Sequence, residues 1–83
     1  MEKKSQVFFD PRWGKVLRKM RENKGKGFSE RDVAEKIGYS HVALHNWEVG
    51  ETIVKQNVLF MLLDFYGYTF LEFVSMVDKE PII

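Results

Sequence analysis

The chain has 83 residues, which fits one domain, and its hydrophobic content of 45% is enough for a core of its own. It contains no cysteine, which excludes a disulfide framework and a thiolate metal site. No apolar run approaches the roughly 18 residues of a membrane span, and the N-terminal region lacks the apolar segment of a signal peptide. We therefore expect a cytoplasmic protein without membrane contact.

Charge is distributed unevenly along the chain, although the net charge is only +1. Residues 1–40 hold eleven Lys and Arg against six Asp and Glu, whereas residues 41–83 hold two against six. This asymmetry favours a basic face formed by the first half of the chain, of the kind that meets phosphates. The alternative is a solvated helix surface of mixed charge.

The first predicted helix begins at Asp10 and Pro11, because Asp can cap a helix and Pro has a φ angle already set for its first turn. Apolar side chains then recur at helical spacing, which predicts an amphipathic helix of about four turns. They are Trp13, Val16, Leu17 and Met20. The basic, glycine-rich loop 24–27 ends this helix, and the apolar residues 7–9 before it predict a short strand or arm.

The middle of the chain repeats one pattern twice. Ser29 can cap a helix that Gly38 ends, and Asp32 is placed to complete a capping box. Ser40 can cap a second helix, which Gly50 ends. Because helices this short are not stable alone in water, their apolar stripes must pack on other helices. Two short packed helices with a tight turn are typical of a DNA-binding helix-turn-helix.

Two further helices are predicted after this region. The fourth runs to Tyr66 and the fifth begins after Thr69, which can form a capping box with Glu72. The fourth helix carries more apolar residues than one core-facing stripe needs, and this surplus predicts a homodimer interface. The surplus residues are Phe60, Met61 and Phe65. The alternative is that the N-terminal arm folds back and covers them in a monomer.

The predicted fold is therefore all-α, a compact five-helix bundle. We expect a single domain over residues 1–83, with a helical core over 10–78 and terminal extensions over 1–9 and 79–83.

These motifs resemble the phage-repressor-like (Cro/Xre) helix-turn-helix family. The resemblance covers roughly residues 14–74 and is carried by three short motifs, Ser29 to Asp32, Val33-Ala34-Glu35-Lys36-Ile37-Gly38 and Trp47-Glu48-x-Gly50. It implies a lambda-repressor-like bundle that binds double-stranded DNA and regulates transcription, typically as a repressor. In this chain Glu30 and Val49 stand where the family often has a phosphate-contacting polar residue and a basic residue.

Candidate base contacts lie on the helix that follows Ser40, on the side opposite Leu44 and Trp47. Asn can bind adenine through two atoms, Val can pack on a thymine methyl group, and an imidazole can donate to guanine or to a phosphate. The candidates are His41, Val42, His45 and Asn46. The resemblance assigns base contact to the same positions; the alternative is that they are merely exposed.

Candidate phosphate contacts lie near helix N-termini, whose free N–H groups and dipole favour anions. They are Ser29, Arg31, Ser40, Lys55 and Gln56, with Lys24 and Lys26 of the glycine-rich loop contributing counterion release. Glu30 opposes this by repulsion, unless it faces Arg31 or a lysine of the loop.

The resemblance implies a structural role for Glu48. The family pairs the residue at this position with an arginine of the first helix, which here is Arg21. Such a pair would fix the third helix against the first. The alternative is a solvated surface glutamate.

Two other classes of function compete with DNA binding. His41, His45 and Glu48 are spaced for one ion, but zinc takes three or four ligands and the zincin motif is absent. No nucleophile–base pair is present, so we expect no metal, no cofactor and no enzyme activity. A protein-interaction module or an antitoxin-like protein on the same fold remains the alternative, with a protein partner in place of DNA or beside it.

Overall fold

The computed structural model describes residues 11–81, and five α-helices account for most of this part of the chain. They are α1 (Pro11–Asn23), α2 (Glu30–Ile37), α3 (His41–Val49), α4 (Gln56–Tyr66) and α5 (Phe70–Lys79). Residues 11–81 contain no strand. The all-α five-helix prediction is confirmed. The expected Asp10 cap, the apolar segment 7–9 and residues 82–83 lie outside the described residues.

The capping residues explain where the helices begin. The Ser29 hydroxyl accepts a hydrogen bond from the Asp32 backbone N–H at 3.1 Å, and the Asp32 carboxylate accepts one from the Ser29 N–H at 3.4 Å. Thr69 and Glu72 make the same reciprocal pair at α5, at 3.1 and 2.7 Å. Both predicted capping boxes are therefore confirmed, and each satisfies two backbone donors that a helix start leaves free.

α1 is the central helix of the bundle. It packs against α3, α4 and α5, while α2 packs on α3. The core lies between these elements and is mostly apolar, as the helical periodicity predicts. Its largest fully buried side chains are Val16, Leu17, Met20, Val33, Leu44, Leu62 and Phe73.

The predicted apolar surplus on α4 is wrong for two of its three residues. Met61 and Phe65 are partly buried against the core. The Phe65 ring meets those of Phe28 and Tyr66 edge to face, with centroids 6.3 and 5.6 Å apart. The segment before α2 therefore covers this side of α4, and of the three only Phe60 is exposed.

The C-terminal boundary also differs from the prediction. α5 continues to Lys79, and Glu80 is buried beside α1, where its carboxylate forms an ion pair with Lys19. Residues 79 and 80 therefore belong to the bundle rather than to an extension.

No single helix within residues 11–81 is long and apolar enough to cross a membrane. α4 and α5 reach that length and composition only when taken together, as a pair bent by 95°.

Candidate nucleic-acid interface

α3 is short, and a capping residue sets each of its ends, Ser40 at the N-terminus and Gly50 at the C-terminus. The Ser40 hydroxyl accepts a hydrogen bond from the Ala43 N–H at 3.1 Å. At the other end Gly50 has a φ of 85° and donates its N–H to the Asn46 carbonyl. A residue with a side chain would be strained in this left-handed conformation, so Gly50 ends the helix at Val49.

A glycine on α1 allows α3 to approach closely. A Cβ atom at Gly14 would lie 2.3 Å from the Glu48 carbonyl oxygen and 2.5 Å from that of Trp47. Real Cβ atoms do not come this near to backbone, so a side chain here would force the two helices apart. This contact is not among those predicted from the sequence. The signal was present, since a glycine inside an amphipathic helix carries a cost that a packing role explains.

The predicted base-contacting residues lie together along the outer side of α3. His41, Val42 and His45 are exposed, and Asn46 is half-buried at the edge of the same side. Val49 extends this surface by a further turn. The other side of the helix is packed, since Leu44 is fully buried and Glu48 is nearly so.

Arg21 and Glu48 form a bidentate ion pair between α1 and α3. Arg21 Nε donates to Glu48 Oε2 at 2.7 Å, and Arg21 Nη2 donates to Oε1 at 3.0 Å. The side chains are 11% and 1% exposed. Arg21 also donates to the Phe28 carbonyl at 3.1 Å, which ties the segment before α2 to the same group. The hydrogen bond with Glu48 is the main cause that raises the pKa of Arg21.

Glu30 lies against the outer side of α3 and contacts His45. The Nδ1 atom of His45 is 3.2 Å from Glu30 Oε1 and 3.1 Å from Oε2. The sequence offered Arg31 or a loop lysine as an alternative partner of Glu30, and the structure places His45 there instead. α2 and α3 pack closely, and this carries the first residue of α2 to the middle of α3.

These side chains form one electrostatic network across three helices. Burial raises the pKa of Glu48, hydrogen bonds and charge from Arg21 lower it, and Glu30 raises it again, so the net shift is upward. Burial also raises the pKa of Glu30, but His45, Glu48 and Arg21 together outweigh it, and the net shift is downward. Glu30 is therefore the carboxylate of the two that more readily keeps its charge beside His45.

The candidate phosphate-contacting residues have different surroundings. Arg31 and Lys26 are exposed, whereas the Lys24 ammonium lies 5.2 and 5.5 Å from the ring centroids of Phe28 and Phe65. The hydroxyls of Ser29 and Ser40 already cap α2 and α3.

The start of α4 carries the remaining two candidates. Lys55 occupies the N-cap position without a side-chain capping bond, because an ammonium group cannot accept from the first-turn N–H groups that follow. Lys55 and Gln56 also border an apolar groove of about 390 Å³ beside Trp13.

The positions of His41, His45 and Glu48 do not support the hypothesis of a metal site. Within residues 11–81, no three His, Asp or Glu side chains are grouped so that they could hold one ion. His45 faces Glu30, and Glu48 faces Arg21 instead of a shared site with the histidines.

Comparison with known proteins gives one result that matches this geometry. A family model described as helix-turn-helix matches residues 17–73, which span α2 to α4 together with most of α1 and the start of α5. Searches of curated proteins and of solved structures found no significant match.

Proposed function

The chain belongs to the Cro/C1-type helix-turn-helix family, and we propose that it is a sequence-specific transcriptional regulator that reads double-stranded DNA. The family is a DNA-binding regulatory type. In this proposal α3 enters the major groove, as the second helix of such a motif does. One observation carries the proposal: α3 is packed on one side and presents a row of donors, acceptors and two apolar side chains, Val42 and Val49, on the other.

Base contact is assigned to His41, Val42, His45 and Asn46. All four lie on the outer side or edge of α3, where they can reach base edges without disturbing the core. Asn46 suits adenine, where an amide can bind N6 and N7 together, and Val42 suits a thymine methyl group.

Phosphate contact is assigned to the exposed cations and helix starts around α3. Arg31 and Lys26 supply free charge, and the N–H groups of the first turn of α4, beside Lys55 and Gln56, supply neutral donors. Ser29 and Ser40 position the two helix starts, and Lys24 adds positive charge at the loop.

Selection of bound sites from a random duplex pool tests the proposal directly. The wild-type chain should enrich one short sequence, and Asn46→Ala should enrich it less strongly or accept a different base at one position. Arg31→Ala is the matched control, since a lost phosphate contact should leave the enriched sequence unchanged. A pool that returns no preferred sequence at low salt contradicts specific DNA reading.

We further propose that the protein acts in the cytoplasm as a homodimer and a repressor. The α4–α5 apolar surface, defined by Ile53, Phe60 and Phe70, is exposed and lines one groove. The Phe60 and Phe70 rings meet edge to face with centroids 5.6 Å apart. A symmetric dimer through this surface would present two α3 helices to a palindrome with half-sites about 34 Å apart.

The dimer is tested by sedimentation of free and DNA-bound protein. Wild type should bind a palindrome as two chains, and Phe60→Lys should bind as one chain with lower affinity because a charge is placed in the interface. Ser75→Lys, at an exposed position of α5, is the control and should behave as wild type. A single wild-type chain on the selected site contradicts the dimer.

A protein-interaction function on the same fold is the second candidate, and the same exposed surface favours it. The low net charge and the carboxylate of Glu30 beside α3 also fit a protein that binds DNA weakly. Here a stoichiometric partner should bind the α4–α5 apolar surface, and Phe60→Lys should abolish its binding while DNA selection returns nothing.

A further inference from the structure

We propose that Glu30 fixes which nitrogen of His45 carries the hydrogen, and so decides which base edges α3 accepts at that position. The inference rests on the proposed function, because it concerns how α3 reads DNA. It assigns to Glu30 the role of a positioning residue, in a place where a carboxylate otherwise only repels phosphates.

The contact geometry sets the direction of the hydrogen bond. Both Glu30 oxygens face Nδ1 of His45, at 3.1 and 3.2 Å. An ionised carboxylate can only accept, so Nδ1 must be the donor. A neutral imidazole has one N–H, which leaves Nε2 with a lone pair and no hydrogen. The His45 side chain is 52% exposed against 27% for Glu30, so the imidazole is free to meet a ligand while Glu30 lies largely behind it.

The surroundings keep Glu30 in the accepting form. Arg21 and Glu48 lie behind it, and their pairing places a guanidinium charge near both carboxylates. Among the described residues, the ionisable groups that interact with Glu30 are His45 and Glu48 from α3, Arg21 from α1 and Tyr66 from α4. His41, one turn earlier on α3, is exposed.

The consequence for recognition follows from the hydrogen-bond code of the major groove. With Nε2 as an acceptor, His45 can pair with the amino group of cytosine or of adenine, and it meets guanine and thymine oxygens unfavourably. When His45 is protonated, Nε2 becomes a donor and the preference moves to guanine and thymine. α3 should thus change its base preference at one position with pH, while its other contacts stay the same.

The first experiment measures the hydrogen position itself, with no DNA present. Nitrogen-15 NMR of the free protein should show neutral His45 with hydrogen on Nδ1, opposite to the Nε2 form that free histidine favours. His41, the other histidine of the chain, is the internal reference and should show the ordinary form. In Glu30→Gln, which keeps the side-chain shape but adds a donor, His45 should move towards the ordinary form. The Nε2 form in wild-type His45, or no change in Glu30→Gln, overturns the inference.

The second experiment measures base preference on the selected site, with all four base pairs placed in turn at each position. Measurements at a mildly acidic and at a mildly alkaline pH compare the protonated with the neutral imidazole. At the higher pH, wild type should prefer cytosine or adenine at one position by about 2- to 10-fold, the range of one net hydrogen bond. At the lower pH this preference should reverse.

Glu30→Gln provides the discriminating comparison on DNA. Loss of a negative charge should strengthen binding to all sequences alike, whereas the base preference at the His45 position should fall to near unity at the higher pH. His45→Ala should remove both the preference and its pH dependence. An unchanged preference in Glu30→Gln overturns the inference while leaving specific DNA reading intact. Absence of any selected site overturns the proposed function, and the NMR result then still decides whether Glu30 controls His45.

Discussion

The two sides of α3 have opposite surroundings. On the packed side, Leu44 is fully buried, Glu48 is locked in a bidentate pair and the backbone lies against Gly14. On the outer side, Val42 is 55% exposed and His45 contacts Glu30. A helix of nine residues has little stability of its own, so the packed side supplies the rigidity that the outer side needs for recognition.

This difference means that stability and DNA reading should respond to different substitutions. Changes on the packed side should lower the free energy of unfolding, and changes on the outer side should alter DNA binding in a folded protein. Glu30 links the two sides of α3, because it contacts His45 on the outer side and raises the pKa of Glu48 on the packed side.

The largest effect is expected from breaking the Arg21–Glu48 pair. Arg21→Ala leaves a carboxylate almost completely buried without its partner, and such a loss costs about 3–5 kcal/mol of unfolding free energy. Glu48→Ala strands the guanidinium in the same way. Urea unfolding of both single variants and the double variant measures the coupling, and the double variant should lose less than the two single losses together.

Arg18→Ala with Glu22→Ala is the matched control, because this pair on α1 is exposed and joined at 3.1 Å. An exposed pair is worth only about 0–1 kcal/mol. Additive losses at Arg21 and Glu48 would mean that the two side chains do not act together.

The next effect is expected at the close approach of α1 and α3. Gly14→Ala would set a methyl group within 2.5 Å of two backbone carbonyls, and overpacking of this kind costs about 3 kcal/mol when backbone must move. Thermal unfolding measures the loss. Lys15→Ala, at the exposed neighbouring position, should change stability by less than about 0.5 kcal/mol; equal effects at both positions would show that the helices can separate at no cost.

The helices themselves were largely predictable from local sequence. Ser29 with Asp32 and Thr69 with Glu72 are sufficient to mark two helix starts, because a capping box uses only residues within one turn. The outer side of α3 also followed from periodicity, once Leu44 had been placed inside.

Contacts between distant residues were harder to predict. Glu30 precedes His45 by fifteen residues, and nothing in the local pattern says that α2 delivers it there. The prediction that Phe65 is surplus apolar surface is wrong for the same reason, since the residue that covers it, Phe28, comes from the segment before α2. Helix periodicity identifies apolar faces but not the element that covers each one.

On the outer side of α3, Asn46→Ala should weaken binding to the preferred site by about 1–3 kcal/mol, the value of one bidentate base contact. Binding to unrelated DNA should change little, because phosphate electrostatics dominates it.

On α2, Arg31→Ala should weaken binding to all sequences alike and reduce the slope of log affinity against log salt concentration by about one unit. Titrations at several salt concentrations separate the two, and an equal loss on both kinds of DNA from each variant would contradict the assignment of α3 as the reading helix.

The smallest effect is expected at Tyr66, behind the packed side of α3. Its hydroxyl is buried and has no hydrogen-bond partner among the described residues, and burial raises its pKa. A buried hydroxyl without a partner costs free energy, so Tyr66→Phe should leave stability equal or raise it by up to about 1 kcal/mol. Tyr68→Phe is the control, because the Tyr68 hydroxyl accepts a hydrogen bond from Asn23 at 3.3 Å and its loss should lower stability slightly. A clear loss of stability in Tyr66→Phe would mean that this hydroxyl is paired in solution and supports the Arg21–Glu48 network. If the DNA affinity of the same variant is unchanged, the hydroxyl contributes to the packed side of α3 and not to DNA binding by the outer side.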